Sequence, residues 1–253
     1  MTITQRTTPN KGTGRSGWVP DMIVCHITDG SYEGSVSWLA NKDSGASTHF
    51  VVAKDGRITQ LVPIADTAWA NGTNNTSGDN RNNAYSTLQT VRDRKVNANL
   101  YTVSIEHEGK SAETQGALTA TQLEATVWLM AHIRAEVKRL FGKEIPITRQ
   151  NIVAHSEVLP KWKPNCPGPK YPFDEIIKRL NAGTAPGAVP ETPPSTAPQT
   201  PPVMPGHEPS KWALDAWNWA RSLGITDGTN PQGAITREQV ITMLYNSVVL
   251  ATK

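Results

Sequence analysis

The chain has 253 residues, 37% of them hydrophobic, and a formal net charge of +3. That length accommodates one domain of about 150 to 200 residues plus a small extra module. Basic residues are scattered among acidic ones without the run a nucleic-acid partner would favour, and no apolar stretch approaches the roughly 18 residues of a membrane helix.

The opening MTITQRTTPNKGTGRSG is polar rather than charged-then-apolar, so no signal peptide is expected and synthesis in the cytoplasm follows. Residues 8–21 are rich in turn formers and predict an ordered opening loop. Met22 to Ile27 (MIVCHI) is a short apolar run that reads as a buried strand. Alternation along a strand sends Cys25 and His26 to opposite faces. Ser31 to Asn41 suits a short helix, and His49 to Val62 carries a hairpin signal with Asp55-Gly56 at its turn.

From Asp66 to Asn99 the chain is dense in asparagine and lacks apolar periodicity. Two readings stay open for it: a connecting surface loop, or a wall of a substrate groove. Leu100 to Glu106 (LYTVSIE) predicts another strand, ending on an acid. Thr119-x-x-Gln122 opens a long helix with Leu123, Val127, Met130 and Val137 on one face, and Gly142 stands where a left-handed stop falls. His132 reads as an ordinary residue of that helix. Ile152 to Ala154 predicts a last strand, and Phe173 to Leu180 a closing helix.

Between the last two elements lies HSEVLPKWKPNCPGPK, residues 155–170. Prolines 160, 164, 167 and 169 keep it irregular and stiff. His155 and Cys166 are too far apart for one helix turn, so they would close on a metal through a loop with a third ligand from elsewhere, and His26 is the best supplier. Two imidazoles and a thiolate suit zinc, leaving a fourth position for water whose pKa falls toward about 7. Glu106 fits the part of proton acceptor and Lys163 that of oxyanion partner. The rival reading makes Cys25 and Cys166 a disulfide and the histidines structural; strand alternation opposes it, because Cys25 faces away from His26.

The segments VCHITDG, STHFVVAKDGRITQLV, SIEHEG and VAHSEV…KPNCPGPKYP resemble the zinc-dependent type 2 N-acetylmuramoyl-L-alanine amidases, which include phage endolysins and peptidoglycan recognition proteins. The resemblance spans roughly residues 8–181 and implies an α/β fold with a central mixed sheet flanked by helices. It implies Zn2+ on His26, His155 and Cys166 at the bottom of an open groove, with Glu106 and Lys163 catalytic. It implies cleavage of the amide between the lactyl group of N-acetylmuramic acid and L-alanine of the stem peptide. A non-catalytic muropeptide-binding protein is the alternative within the same family. Three positions depart from its pattern. Pro164 stands where several members place the lysine, leaving Lys163 and Lys161 both open. Trp69 is followed by Ala70 rather than histidine. Thr48, not tyrosine, precedes His49, which points to the glutamate-using branch. His49 and Trp69 are candidate substrate contacts, with a structural role as the other reading of His49.

Residues 183–206 hold eight of the chain's 19 prolines and no aromatic residue, a composition that favours an extended spacer of up to roughly 70 Å. Beyond it, WALDAWNWARSLGITDGTN…ITREQVITMLYN is similar to a single S-layer homology repeat. That likeness implies a small helical module that attaches to secondary cell-wall polymers, with Arg237 as a glycan contact. Such a short module is marginal alone and favours self-association or weak targeting. The expected organisation is a catalytic domain over 1–182, a linker over 183–207 and a wall-binding module over 208–253. This layout predicts a phage or prophage endolysin acting on bacterial peptidoglycan after release from the host cytoplasm.

Overall fold

The apolar run Met22–Ile27 forms strand β3. In the computed structural model, which describes residues 1–72 and 80–183, β3 lies between β7 (Thr102–His107) and β8 (Ile152–Ala154), parallel to both. The remaining strands of this sheet are β1 (Ile3–Gln5), β4 (Phe50–Val52) and β5 (Ile58–Gln60). The order is β1-β5-β4-β7-β3-β8, and every neighbouring pair is parallel except the β4–β5 hairpin. Gly56 takes φ +88° at that hairpin's turn, a conformation a Cβ disfavours. A separate antiparallel ladder joins β2 (Lys11–Gly12) to β6 (Thr67–Ala68).

The uninterrupted apolar character of β3 has a packing cause. Ile23 and Cys25 join Val103, Ile105 and Ile152 beneath two helices, α4 (Ala120–Phe141) and α6 (Phe173–Asn181). Met22 and Val24 lie in a second cluster with Tyr101, Val153 and Val158. A third cluster seats Val51 and Leu61 against Tyr32 and Val36 of α1 (Tyr32–Ala40). With both faces covered, a strand needs apolar side chains in both directions.

Local signals set the helix ends as expected. Thr119 caps α4 by accepting the Gln122 backbone N–H at 3.0 Å, and Gly142 ends it in the left-handed region at φ +69°. Ser31 and Asn41, the ends of the predicted short helix, become the caps of α1. The long stretch from Asp66 is more structured than a loop. It carries β6, a 3-10 turn over Asn80–Tyr85, helix α2 (Gln89–Arg94) and a second 3-10 turn over Ala98–Tyr101. That last turn occupies Leu100 and Tyr101, so β7 starts at Thr102 and extends one residue past Glu106. The opening loop is ordered because Arg15 is buried and donates to the carbonyls of Ile64 (2.7 Å), Leu100 (3.1 Å) and Thr102 (3.0 Å). The proposed linker and tail module, Arg237 included, lie outside the described residues.

Candidate metal centre and groove

Three adjacent parallel strands release their carboxyl ends at one place. Ligand sites of open α/β sheets form at such ends. The register pairs His26 of β3 with Glu106 of β7, so the two side chains leave the same face. His155 follows β8 directly as the first residue of α5 (His155–Val158). The Ala154 N–H at this start donates to the Glu157 carboxylate at 2.7 Å, and Arg149 holds the same carboxylate at 2.8 Å. Cys25 points the opposite way into the core, and both cysteines are free, so the disulfide reading falls.

Cys166 is delivered by the proline-rich loop after α5. Its carbonyl accepts the Ser156 N–H at 2.8 Å, and its own N–H donates to the Lys163 carbonyl at 3.2 Å. Downstream, the Lys170 N–H donates to the Gln115 carbonyl at 2.8 Å. This approach to the segment after α3 (Ser111–Thr114) needs two glycines. A Cβ on Gly168 would lie 2.3 Å from the Gln115 carbonyl oxygen, and one on Gly116 would lie 2.6 Å from that of Pro167. The Ile27 N–H reaches Cys166 Sγ at 3.4 Å.

The ligand atoms of His26, His155 and Cys166 all fall within 4.8 Å of one another, the cluster of three donors found among the described residues. The two Nδ1 atoms stand 2.9 Å apart. A carbonyl can only accept, so the 3.1 Å contact of His155 Nε2 with the Asn71 carbonyl places the proton there and turns the Nδ1 lone pair into the cluster. Burial holds His155 down to about 4, and burial followed by the neighbouring His155 holds His26 well below its usual value. Both rings are therefore neutral near pH 7, as ligands must be. Burial pushes the Cys166 thiol up, with Glu106 adding to it, so the sulfur is a poor nucleophile unless a cation displaces its proton. Two imidazole nitrogens and a sulfur converging within 4.8 Å form a donor set suited to zinc. The residues fit the ion.

Glu106 stands beside the cluster, with Oε1 3.9 Å from His26 Nδ1 and Oε2 buried without a hydrogen-bond partner. Burial raises its carboxyl to about 7, Lys163 pulling it down and Asp29 pushing it further up. A groove of about 370 Å³ opens over these groups, lined in part by Asp29, Trp69, Trp162 and Lys163. Lys163 is thus the lysine at the groove. Lys161 instead lies over the rings of Tyr85, 4.6 Å from its centroid, and Trp162, at 5.0 Å.

His49 takes the structural one of its two readings. It is buried, does not line the groove, and its Nδ1 accepts the Ser104 N–H at 3.1 Å while Nε2 lies 2.9 Å from Arg15 Nη2 and 3.2 Å from the Asp66 carbonyl. Trp69 does line the groove, 43% exposed. His132 stacks on Trp128 one helical turn away, at 5.5 Å between centroids. Four contributors escaped sequence reasoning. Asn99 Oδ1 accepts the N–H groups of Ala70 (3.3 Å) and Asn71 (2.9 Å), fixing the carbonyl that orients His155. Asn71 Nδ2 donates to Thr102 Oγ1 at 2.8 Å. His107 anchors β3 through the His26 carbonyl at 3.0 Å. Asp29, at φ +51°, accepts the Ser111 N–H at 2.6 Å on the groove's edge. The density of asparagine around 71 was the available signal for the first two, and it named no partner.

Residues 16–169 match the family described as N-acetylmuramoyl-L-alanine amidase, well over half of the chain. The chain belongs to that family. It is 31% identical over 114 residues to N-acetylmuramoyl-L-alanine amidase A of Achromobacter lyticus, a match covering 45% of this chain and 50% of that relative. The match thus spans about half the length of the curated relative. Among solved structures, a selenomethionine derivative of AmpD is similar at TM-score 0.49 and 20% identity, over 70% of this chain and 93% of that one. The PlyG catalytic domain is similar at TM-score 0.48 and 18% identity, over 75% and 99%.

Proposed function

We propose that this chain is a peptidoglycan hydrolase that cleaves the amide between the lactyl group of N-acetylmuramic acid and the L-alanine that starts the stem peptide. The observation that carries this reading is the convergence of His26, His155 and Cys166 to within 4.8 Å at the floor of a groove, beside a buried carboxylate. His26, His155 and Cys166 would hold zinc, which when bound supplies Lewis acidity that lowers the pKa of water and polarises a carbonyl. Glu106, raised to about 7 by burial, takes the proton of the attacking water and holds it for the departing nitrogen. The Lys163 ammonium supplies positive charge at the groove, where negative charge develops on the carbonyl oxygen. Trp69 offers an apolar wall to the substrate.

Family membership and the groove-facing donor set found among the described residues favour hydrolysis over mere binding. The proline-rich spacer and the S-layer-homology-like tail support a delivery role, with attachment to secondary cell-wall polymer and an endolysin's place in host lysis. Digestion of purified peptidoglycan followed by mass spectrometry tests the reaction. Stem peptides with free N-terminal L-alanine are the expected products. Intact walls after prolonged digestion with zinc-loaded protein would leave the binding-only reading, and new reducing sugars or cut cross-bridges would assign a different bond.

A further inference from the structure

Behind the donor cluster, on the core side of the sheet, three side chains form a polar chain that packing alone does not call for. Tyr171 and Cys25 belong to the apolar cluster under α4 and α6, and His107 is buried beside them. His107 Nδ1 lies 3.0 Å from the His26 carbonyl oxygen. A carbonyl only accepts, so the ring proton sits on Nδ1 and Nε2 keeps a lone pair. Burial holds the His107 pKa down to about 4, which leaves the ring neutral near pH 7. Two hydroxyls stand 3.1 Å from that Nε2, those of Thr126 and Tyr171. Thr126 gives its proton to the Gln122 carbonyl at 2.7 Å, so Tyr171 is the donor to the ring. The Tyr171 oxygen then accepts the S–H of Cys25, with which it is also hydrogen-bonded. Donation therefore runs in one direction, from Cys25 through Tyr171 and His107 to the backbone of His26.

We propose that Tyr171 and His107 are positioning residues that hold the Cys166 loop in register with His26; this rests on the reading of His26, His155 and Cys166 as metal ligands. Tyr171 stands five residues after Cys166. Its N–H donates to the Gly168 carbonyl at 3.2 Å, next to the Lys170 N–H that is tied to Gln115. The Tyr171 hydroxyl thus joins the downstream end of the loop to two consecutive residues of β3, to Cys25 by its thiol and to His26 by way of His107. The ring is fixed as well, meeting His107 with centroids 5.1 Å apart and Phe173 at 4.5 Å. A phenylalanine at 171 would fill the same apolar space with no hydroxyl to satisfy, and a buried polar group is unfavourable unless it is bonded. A buried network with every member bonded in turn specifies one arrangement of its parts. Two ligands that come from distant parts of the chain require that kind of constraint.

The test uses the full chain, with zinc and cobalt(II) as probes. In nitrogen-15 spectra of the metal-free native protein, His107 should carry its proton on Nδ1; a proton on Nε2 would overturn the proposal. Tyr171→Phe keeps the ring and removes the hydroxyl. It should lower zinc affinity by about 10 to 100-fold, the range found for groups that orient metal ligands, and should shift the thiolate-to-cobalt charge-transfer band, which reports how the sulfur is placed. A role confined to stability would lower Tm and leave both readouts at native values in the folded variant, and that result would overturn the proposal. His107→Asn offers an amide N–H in place of Nδ1–H and should keep more of the zinc affinity than His107→Leu; equal losses in the two folded variants would count against a link through the His26 carbonyl. Failure of the native protein to bind cobalt would sink the metal-ligand reading itself. Native-like cobalt binding in Tyr171→Phe would remove the positioning role and leave that reading standing.

Discussion

Replacing Gly168 with alanine probes how the Cys166 loop is held. At this position φ is +119° and a Cβ would sit 2.3 Å from the Gln115 carbonyl oxygen, 2.4 Å from its carbon and 2.9 Å from the Gly116 nitrogen. All three neighbours are backbone, so nothing can rotate away. An L-residue forced to positive φ costs roughly 1 to 2 kcal/mol, and backbone displacement of the overpacking kind adds about 1 to 3 kcal/mol. The sum is about 2 to 5 kcal/mol, which for a domain of this size lowers Tm by roughly 4 to 20 °C. If the loop relaxes instead by lifting off Gln115, the strain is released at the expense of the Lys170 to Gln115 hydrogen bond and of the position of Cys166, two residues away. Thermal unfolding with and without a chelator, beside zinc affinity by competition, separates the two responses. A variant equal to the native protein in both Tm and zinc affinity would refute the claim that this close approach positions the thiol.

Glu106→Gln keeps the shape of the side chain and should retain zinc while lowering amide hydrolysis by about 10² to 10⁴-fold; substantial activity in a zinc-loaded variant would remove Glu106 as proton acceptor. Asn99→Ala frees the Ala70 and Asn71 N–H groups and should weaken zinc by about 10 to 100-fold through the loss of orientation at His155, read by chelator competition; unaltered affinity would show that the Asn71 carbonyl needs no such support. His49 gives a pH dependence. Burial, then Arg15, holds its folded-state pKa well below that of the unfolded chain, near 6.5. Below that pH the unfolded chain takes up a proton that the folded one refuses, so stability is present above about 6.5 and declines as pH falls, by up to about 1.4 kcal/mol per pH unit. Urea unfolding of His49→Asn between pH 7 and 5 should show a flatter decline than the native protein, and parallel curves would contradict the assignment.

What could be read from the sequence followed from strong local patterns. The MIVCHI run, the Thr119 cap and the Gly142 stop each fix their element through neighbours within a few residues, and all three appear where expected. Strand alternation also separated Cys25 from His26 correctly. The elements that escaped depend on distant partners. Polar β1 is a strand because β5, some 55 residues away, pairs with it. Helix α2 follows Leu88, an N-cap residue that makes no side-chain cap, and buries only Val91, so its sequence carries little helical periodicity. In the site, donor types and order were visible, since His26, Glu106 and His155 stand at or just beyond strand ends and Cys166 lies in the proline-rich loop that follows. Sequence left two roles open for His49, and only a distant partner separates them: Arg15, from the opening loop, fills the space over it. The choice between Lys161 and Lys163 needed the loop's path, which puts the first over aromatic rings and the second at the groove.

The central claim is the mixed nitrogen and sulfur donor set of His26, His155 and Cys166. X-ray absorption at the zinc edge of the purified, zinc-loaded full chain addresses it directly. The spectrum should show one sulfur at about 2.3 Å with nitrogen or oxygen neighbours at about 2.0 to 2.1 Å, and Cys166→Ser should lose the sulfur shell alone. A shell without sulfur in the native protein, or a sulfur shell that persists in Cys166→Ser, would contradict the account.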